Sequence, residues 1–141
     1  MDTAYKTTLE LDKVLARAVQ LCACQETKEM MQALEPAPTV EDERYDLAQT
    51  NAINALLIKN GSPRFGSVRE VRRIVAHARK GGILSMGELL EIAATLRNFS
   101  GLSQWYGLSE HEMLPTDDLF FSLAPQPVLE KQISESILSP E

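Results

Sequence analysis

Cysteine, histidine and aromatic side chains are scarce in this chain of 141 residues, and each shortage removes a class of chemistry. Two cysteines, Cys22 and Cys24, cannot form a disulfide framework, and their presence as free thiols fits a reducing compartment. A zinc site needs about four ligands. The two histidines, His77 and His111, lie far along the chain from the thiols and lack the paired spacing of metal ligands. Positions i and i+2 of a helix point about 200° apart, so the thiols do not converge on a helix either. Packing as small hydrophobes is their expected role.

Nucleotide and nucleophile signatures are missing as well. No Gly-x-x-x-x-Gly-Lys-Ser/Thr run occurs, and no strand pattern leads into Gly-x-Gly-x-x-Gly, which argues against a nucleotide cradle built inside the chain. No Gly-x-Ser-x-Gly elbow marks a catalytic serine. The acid pairs Glu41-Asp42 and Asp117-Asp118 are explained by helix starts, where negative charge meets the positive end of the helix dipole. No apolar run approaches the roughly 20 residues of a membrane span, and no basic segment precedes an apolar leader. These absences imply a cytoplasmic, non-membrane protein with no metal, cofactor or catalytic residue in the chain itself.

What is present suits a single helical domain over residues 1–141. Hydrophobic residues make up 44% and charged residues 24%, ordinary values for a globular protein, and the length is enough for one core but small for two. Charge is distributed unevenly. From Lys59 to Lys80 seven basic residues stand against one acid, Glu70, giving +6 in a chain of net −6 and leaving −12 for the remainder. Such asymmetry marks either a face for an acidic partner, nucleic acid included, or one of two complementary faces of a larger protein.

Apolar spacing predicts an all-α fold of about six or seven helices. Leu11, Val14, Leu15, Ala18 and Cys22 fall on one helical face. Thr27 is the expected cap of a short second helix carrying Met30, Met31 and Leu34, ended by Pro36 and Pro38. Thr39 with Asp42 resembles a capping box for a third helix from Val40 to about Lys59, whose later half is apolar on more than one side and expected in the core. A fourth helix is expected over the Ser67 to Lys80 stretch, with Val68, Val71, Ile74, Val75 and Ala78 as its buried stripe and Arg69, Arg72, Arg73, Arg79 and Lys80 opposite. Ser85 and Glu88 form a fuller capping box for a fifth helix, with Leu89, Ala93, Leu96 and Phe99 inward and an end near Gly107. After a loop from Ser109 to Thr116, Asp117-Asp118 starts a short helix, and Pro125 and Pro127 precede a last one carrying Val128, Leu129, Ile133 and Ile137. Thr7 to Leu11 is the sole candidate strand.

The stretch from Gly61 to Glu88 is the most fully punctuated. Gly61, Pro63 and Gly66 make a turn, Gly81 and Gly82 end the fourth helix through positive φ, and Ser85 opens the fifth. The arginine face has the forked donors that match phosphate oxygens. Aromatic interleaving is limited to Phe65, so base stacking is not indicated, and a solvated or internally salt-bridged face is the plainer reading.

Three motif groups together carry a resemblance: Thr8-Leu9-Glu10-Leu11-Asp12-Lys13-Val14-Leu15; Gly61-Ser62-Pro63-Arg64-Phe65-Gly66 with Val68-Arg69-Glu70-Val71; and Lys80-Gly81-Gly82-Ile83-Leu84-Ser85 with Glu88-Leu89-Leu90. In this order they resemble the N-terminal region of the bacterial MutS-two family, MutS-like ATPases and endonucleases that lack the mismatch-reading first domain. The resemblance weakens from Gly101 to Pro127. It implies a non-catalytic helical core module at the start of a longer polypeptide, one that relays ATPase movement to lever helices and a nucleic-acid clamp. By the same resemblance the parent protein is an ATPase and endonuclease that uses ATP and Mg, forms a homodimer, suppresses recombination and acts on DNA or on the ribosome and its rRNA. Family catalytic residues lie beyond residue 141 and have no position here. The alternative from the residues alone is a free-standing helical module that binds protein or RNA.

Overall fold

The computed structural model describes residues 9–64, 66, 69–108 and 110–137. Among these are seven helices and no strand: α1 (Leu11–Leu21), α2 (Gln25–Gln32), α3 (Val40–Asn60), α4 (Arg72–Arg79), α5 (Met86–Tyr106), α6 (Asp117–Phe121) and α7 (Pro127–Ser136). The all-α expectation holds. The strand candidate does not: Leu9 and Glu10 form a turn and Leu11 begins a helix, while Thr7 and Thr8 lie outside the described residues. The chain divides into two compact units, Met1–Arg44 and Tyr45–Glu141.

In the first unit α1 packs on α2. Leu11, Leu15, Ala18 and Cys22 are half-buried as their spacing predicts, but Val14 is largely exposed. No side chain of either helix is fully buried. The Thr27 cap is a correction. α2 begins three residues earlier, with Cys24 extended at the N-cap, its carbonyl accepting from the Lys28 amide and its Sγ 3.0 Å from the Thr27 hydroxyl. That contact engages the hydroxyl expected to do the capping. Both thiols are half-buried, and Cys22 donates to the Ala18 carbonyl at 3.4 Å. Thr39 does accept from the Asp42 amide at 3.1 Å, and its hydroxyl donates to the Asp42 carboxylate at 2.8 Å.

In the second unit the core joins the ends of two long helices. Leu56 of α3 packs with Trp105 and Tyr106 of α5, and Leu57, Leu114 and Phe120 close around them. Burying each such side chain stabilises the fold by about 1.5–3 kcal/mol. The later half of α3 is only partly interior, since Ile58 is 80% exposed. The two helix ends are also tied by polar contacts: Trp105 donates from Nε1 to the Gly61 carbonyl at 2.8 Å, and Asn60 donates to the Trp105 carbonyl at 3.1 Å. Gly61 can offer that carbonyl because it stands at φ 73°, the left-handed end of α3 that glycine adopts without a Cβ clash.

Helix α4 is shorter than its pattern. Arg69 and Glu70 are not helical, Val71 is the N-cap, and Ser67 and Val68 lie outside the described residues. Tertiary contacts compete with helix formation there: Asn98 of α5 accepts from the Gly66 amide at 3.1 Å, and Arg69 reaches Glu91 of α5 at 3.8 Å. Among the described residues of the expected buried stripe only Ile74 is buried, Val71 is half-buried, and Val75 and Ala78 are exposed. By contrast α5 follows its sequence. Its N-terminus is a full capping box, with the Glu88 amide donating to Ser85 Oγ at 3.3 Å and the Ser85 amide donating to Glu88 at 2.8 Å, and it runs unbroken through Ser100-Gly101 to a cap at Gly107. Helices α6 and α7 pack against α5.

Candidate functional site

Three features of the second unit carry the chemistry available to it. The first is the basic segment. Arg72 and Arg73 stand in the first turn of α4, Arg79 at its end, Lys80 at its C-cap, and Arg69 before it, all exposed. By the helical repeat Arg72 aligns with Arg79 and Arg73 with Lys80, each pair two turns apart, or about 10 Å along the axis. The helix thus presents two neighbouring rows of positive charge. Arg69 is drawn aside into its pair with Glu91.

The glycines around α4 serve two different purposes. Gly81 has φ 82° and donates to the Ala78 carbonyl, while the Gly82 amide donates to the His77 carbonyl, a paired closure of the helix end. Gly82 is not at positive φ, contrary to expectation. It is small because a Cβ there would land on the imidazole ring of His77. Gly66 likewise lacks positive φ, and a Cβ there would collide with the Asn98 carboxamide. The turn between Gly61 and Gly66 therefore has one conformational glycine and one close-approach glycine. The Glu88 carboxyl is held below its usual range, chiefly by the Ser85 backbone amide and then by the Ser85 hydroxyl, with the His77 charge adding to the effect.

The second feature is a polar cluster at the start of α6. Thr116 is fully buried, and its hydroxyl meets that of Tyr106 at 2.8 Å rather than capping α6. Tyr106 also donates to Asp117 at 2.6 Å, the Leu114 amide donates to the other Asp117 oxygen at 3.2 Å, and His111 Nε2 lies 3.6 Å from Asp117. The Tyr106 ring stacks on Phe120 at 3.9 Å and receives the His111 ring edge-on. Tyr106 hydrogen bonding, then the Leu114 amide and His111, pull the Asp117 carboxyl below its ordinary range. Burial pushes the Tyr106 phenol upward, and its bond to Asp117 adds to that. From the other side, Tyr45 and Gln49 of α3 both donate to the Pro115 carbonyl, at 3.0 and 2.9 Å. Every strong acceptor in the cluster is occupied by protein, so it works as a brace that fixes the α5–α6 connection to α3.

The third feature is a groove of about 440 Å³ between α3, α5 and α6, lined by Ile53, Leu57, Pro63, Leu102, Trp105, Leu119, Phe120 and Leu123. Its lining carries no charged side chain. Among the described residues no three His, Cys, Asp or Glu side chains converge as a metal site would require, and no helix is long and apolar enough to cross a membrane.

Sequence reasoning placed the basic residues on one helix but missed the brace. The local pattern makes Asp117 a helix start and assigns nothing to Tyr106 or Trp105. The available signal was the aromatic doublet Trp105-Tyr106, which extends the inward face of α5 to the glycine that ends it.

The fold and these sites define an all-helical module whose polar contacts brace helices together. Comparison with known proteins narrows the class. The chain is 27% identical over 133 residues to a protein named Endonuclease MutS2 of Clostridium beijerinckii, covering 93% of this chain and 17% of that protein. Proteins of the same name match at 27% identity over 99% of this chain in Lachnospira eligens and at 29% over 99% in Ruminiclostridium cellulolyticum, covering 17% and 18% of those proteins. The chain is thus related in sequence to proteins named Endonuclease MutS2, of whose length it spans about one sixth. No family model matches it, and no solved structure does.

Proposed function

We propose that this chain is the non-catalytic helical core segment of a MutS2-like protein, and that its work is mechanical. The observation that carries the reading is the extent of the similarity: nearly the whole chain aligns, yet with only about a sixth of each relative. A segment of this kind relays movement as a rigid or sliding body of packed helices. The double acceptance at Pro115 and the Tyr106–Thr116–Asp117 contacts support that role, because they join α3, α5 and α6 at points where the helices would otherwise slip. In the longer protein, ATP and Mg chemistry, nuclease action and homodimer formation belong to other segments, and DNA or ribosomal RNA is the substrate class. The rows Arg72–Arg79 and Arg73–Lys80 are the surface of this segment that faces nucleic acid.

Two measurements test the reading. Purified chain incubated with ATP and Mg, and separately with branched DNA, is expected to hydrolyse neither; turnover of either overturns the non-catalytic assignment. Binding of labelled branched DNA and of rRNA is then followed through a salt series. Arg72→Glu with Arg73→Glu is expected to weaken whichever is bound and to flatten its salt dependence. Unchanged affinity and slope would remove the basic rows from the proposal.

A further inference from the structure

We draw no further inference here: the strongest candidate, the uncharged groove between α3, α5 and α6 lined by Ile53, Leu57, Leu102, Trp105 and Leu123, is an open apolar face, and nothing in the structure shows what covers it.

Discussion

The hydroxyl of Tyr106, the last residue of α5, lies 2.8 Å from the hydroxyl of Thr116, a side chain with no solvent exposure. Removing the Tyr106 hydroxyl takes this partner from the buried Thr116 hydroxyl and a donor from Asp117. Tyr106→Phe is therefore expected to destabilise the protein by about 1–3 kcal/mol, the usual cost of an orphaned buried polar group. Thr116→Val in the same background should cost much less than it does alone, because the Thr116 hydroxyl has there already lost its bond to Tyr106. Denaturant melts of the three variants and the unsubstituted protein measure this, and strictly additive losses would contradict the pairing.

Stability should fall at both pH extremes for separate reasons. Asp117 is depressed from an ordinary 3.8, chiefly by the Tyr106 hydroxyl, so its contribution is complete above the unfolded-state value and disappears as pH falls through the lower folded value. Glu88, through Ser85, and Glu130, through Arg97, act in the same direction from 4.5. Tyr106 is raised above 10.0, chiefly by burial, so its contribution is complete below that pH and is lost as pH rises through the folded value. Melting temperature against pH should form a plateau that declines below about pH 4 and above about pH 10. Asp117→Asn should flatten the acid limb; a variant curve parallel to the wild type there would show that Asp117 does not contribute.

Gly81 and Gly82 fail differently when enlarged. Gly81→Ala forces an L side chain to φ 82°, with open space around the new methyl, and is expected to cost about 1 kcal/mol. Gly82→Ala pushes a methyl into the His77 ring. Adding His77→Ala should therefore restore most of the loss in Gly82→Ala and none of that in Gly81→Ala. Thermal melts of the five proteins decide it, and equal rescue of both glycine variants would refute the distinction.

Arg97 of α5 donates to Glu130 of α7 at 2.6 Å and reaches Ser134 at 3.4 Å. The arginine is 64% exposed, so the pair adds little to global stability. Arg97→Ala is expected to accelerate amide exchange in α7 while leaving exchange around Leu56 unchanged. Uniform acceleration, or none, would show that the contact does not hold α7 locally.

Sequence spoke most clearly where a local rule and the tertiary environment agreed. Ser85 and Glu88 form their capping box, and α3 and α5 end at Asn60 and Tyr106, just before the glycines that the pattern supplies. It misled where tertiary contacts compete with the local pattern. The Val68 to Ala78 stripe reads as one buried face, yet Asn98 and Glu91 engage the chain ahead of Val71, and the helix buries Ile74 alone. The α3 side of the brace, unlike the Trp105-Tyr106 doublet, leaves no sequence signal for another reason. Tyr45 and Gln49 stand 70 and 66 residues from Pro115, and a carbonyl shared by two donors leaves no spacing pattern in a single sequence.

The indole of Trp105, held by the Gly61 carbonyl within the second unit, is the chain's one tryptophan. Its emission is thus an optical gauge confined to the α3–α5 junction. A fluorescence melt excited at the indole would register the parting of those helix ends. Far-ultraviolet dichroism would register the loss of helix throughout the chain, so a gap between the two traces would separate the opening of that junction from the melting of helices elsewhere.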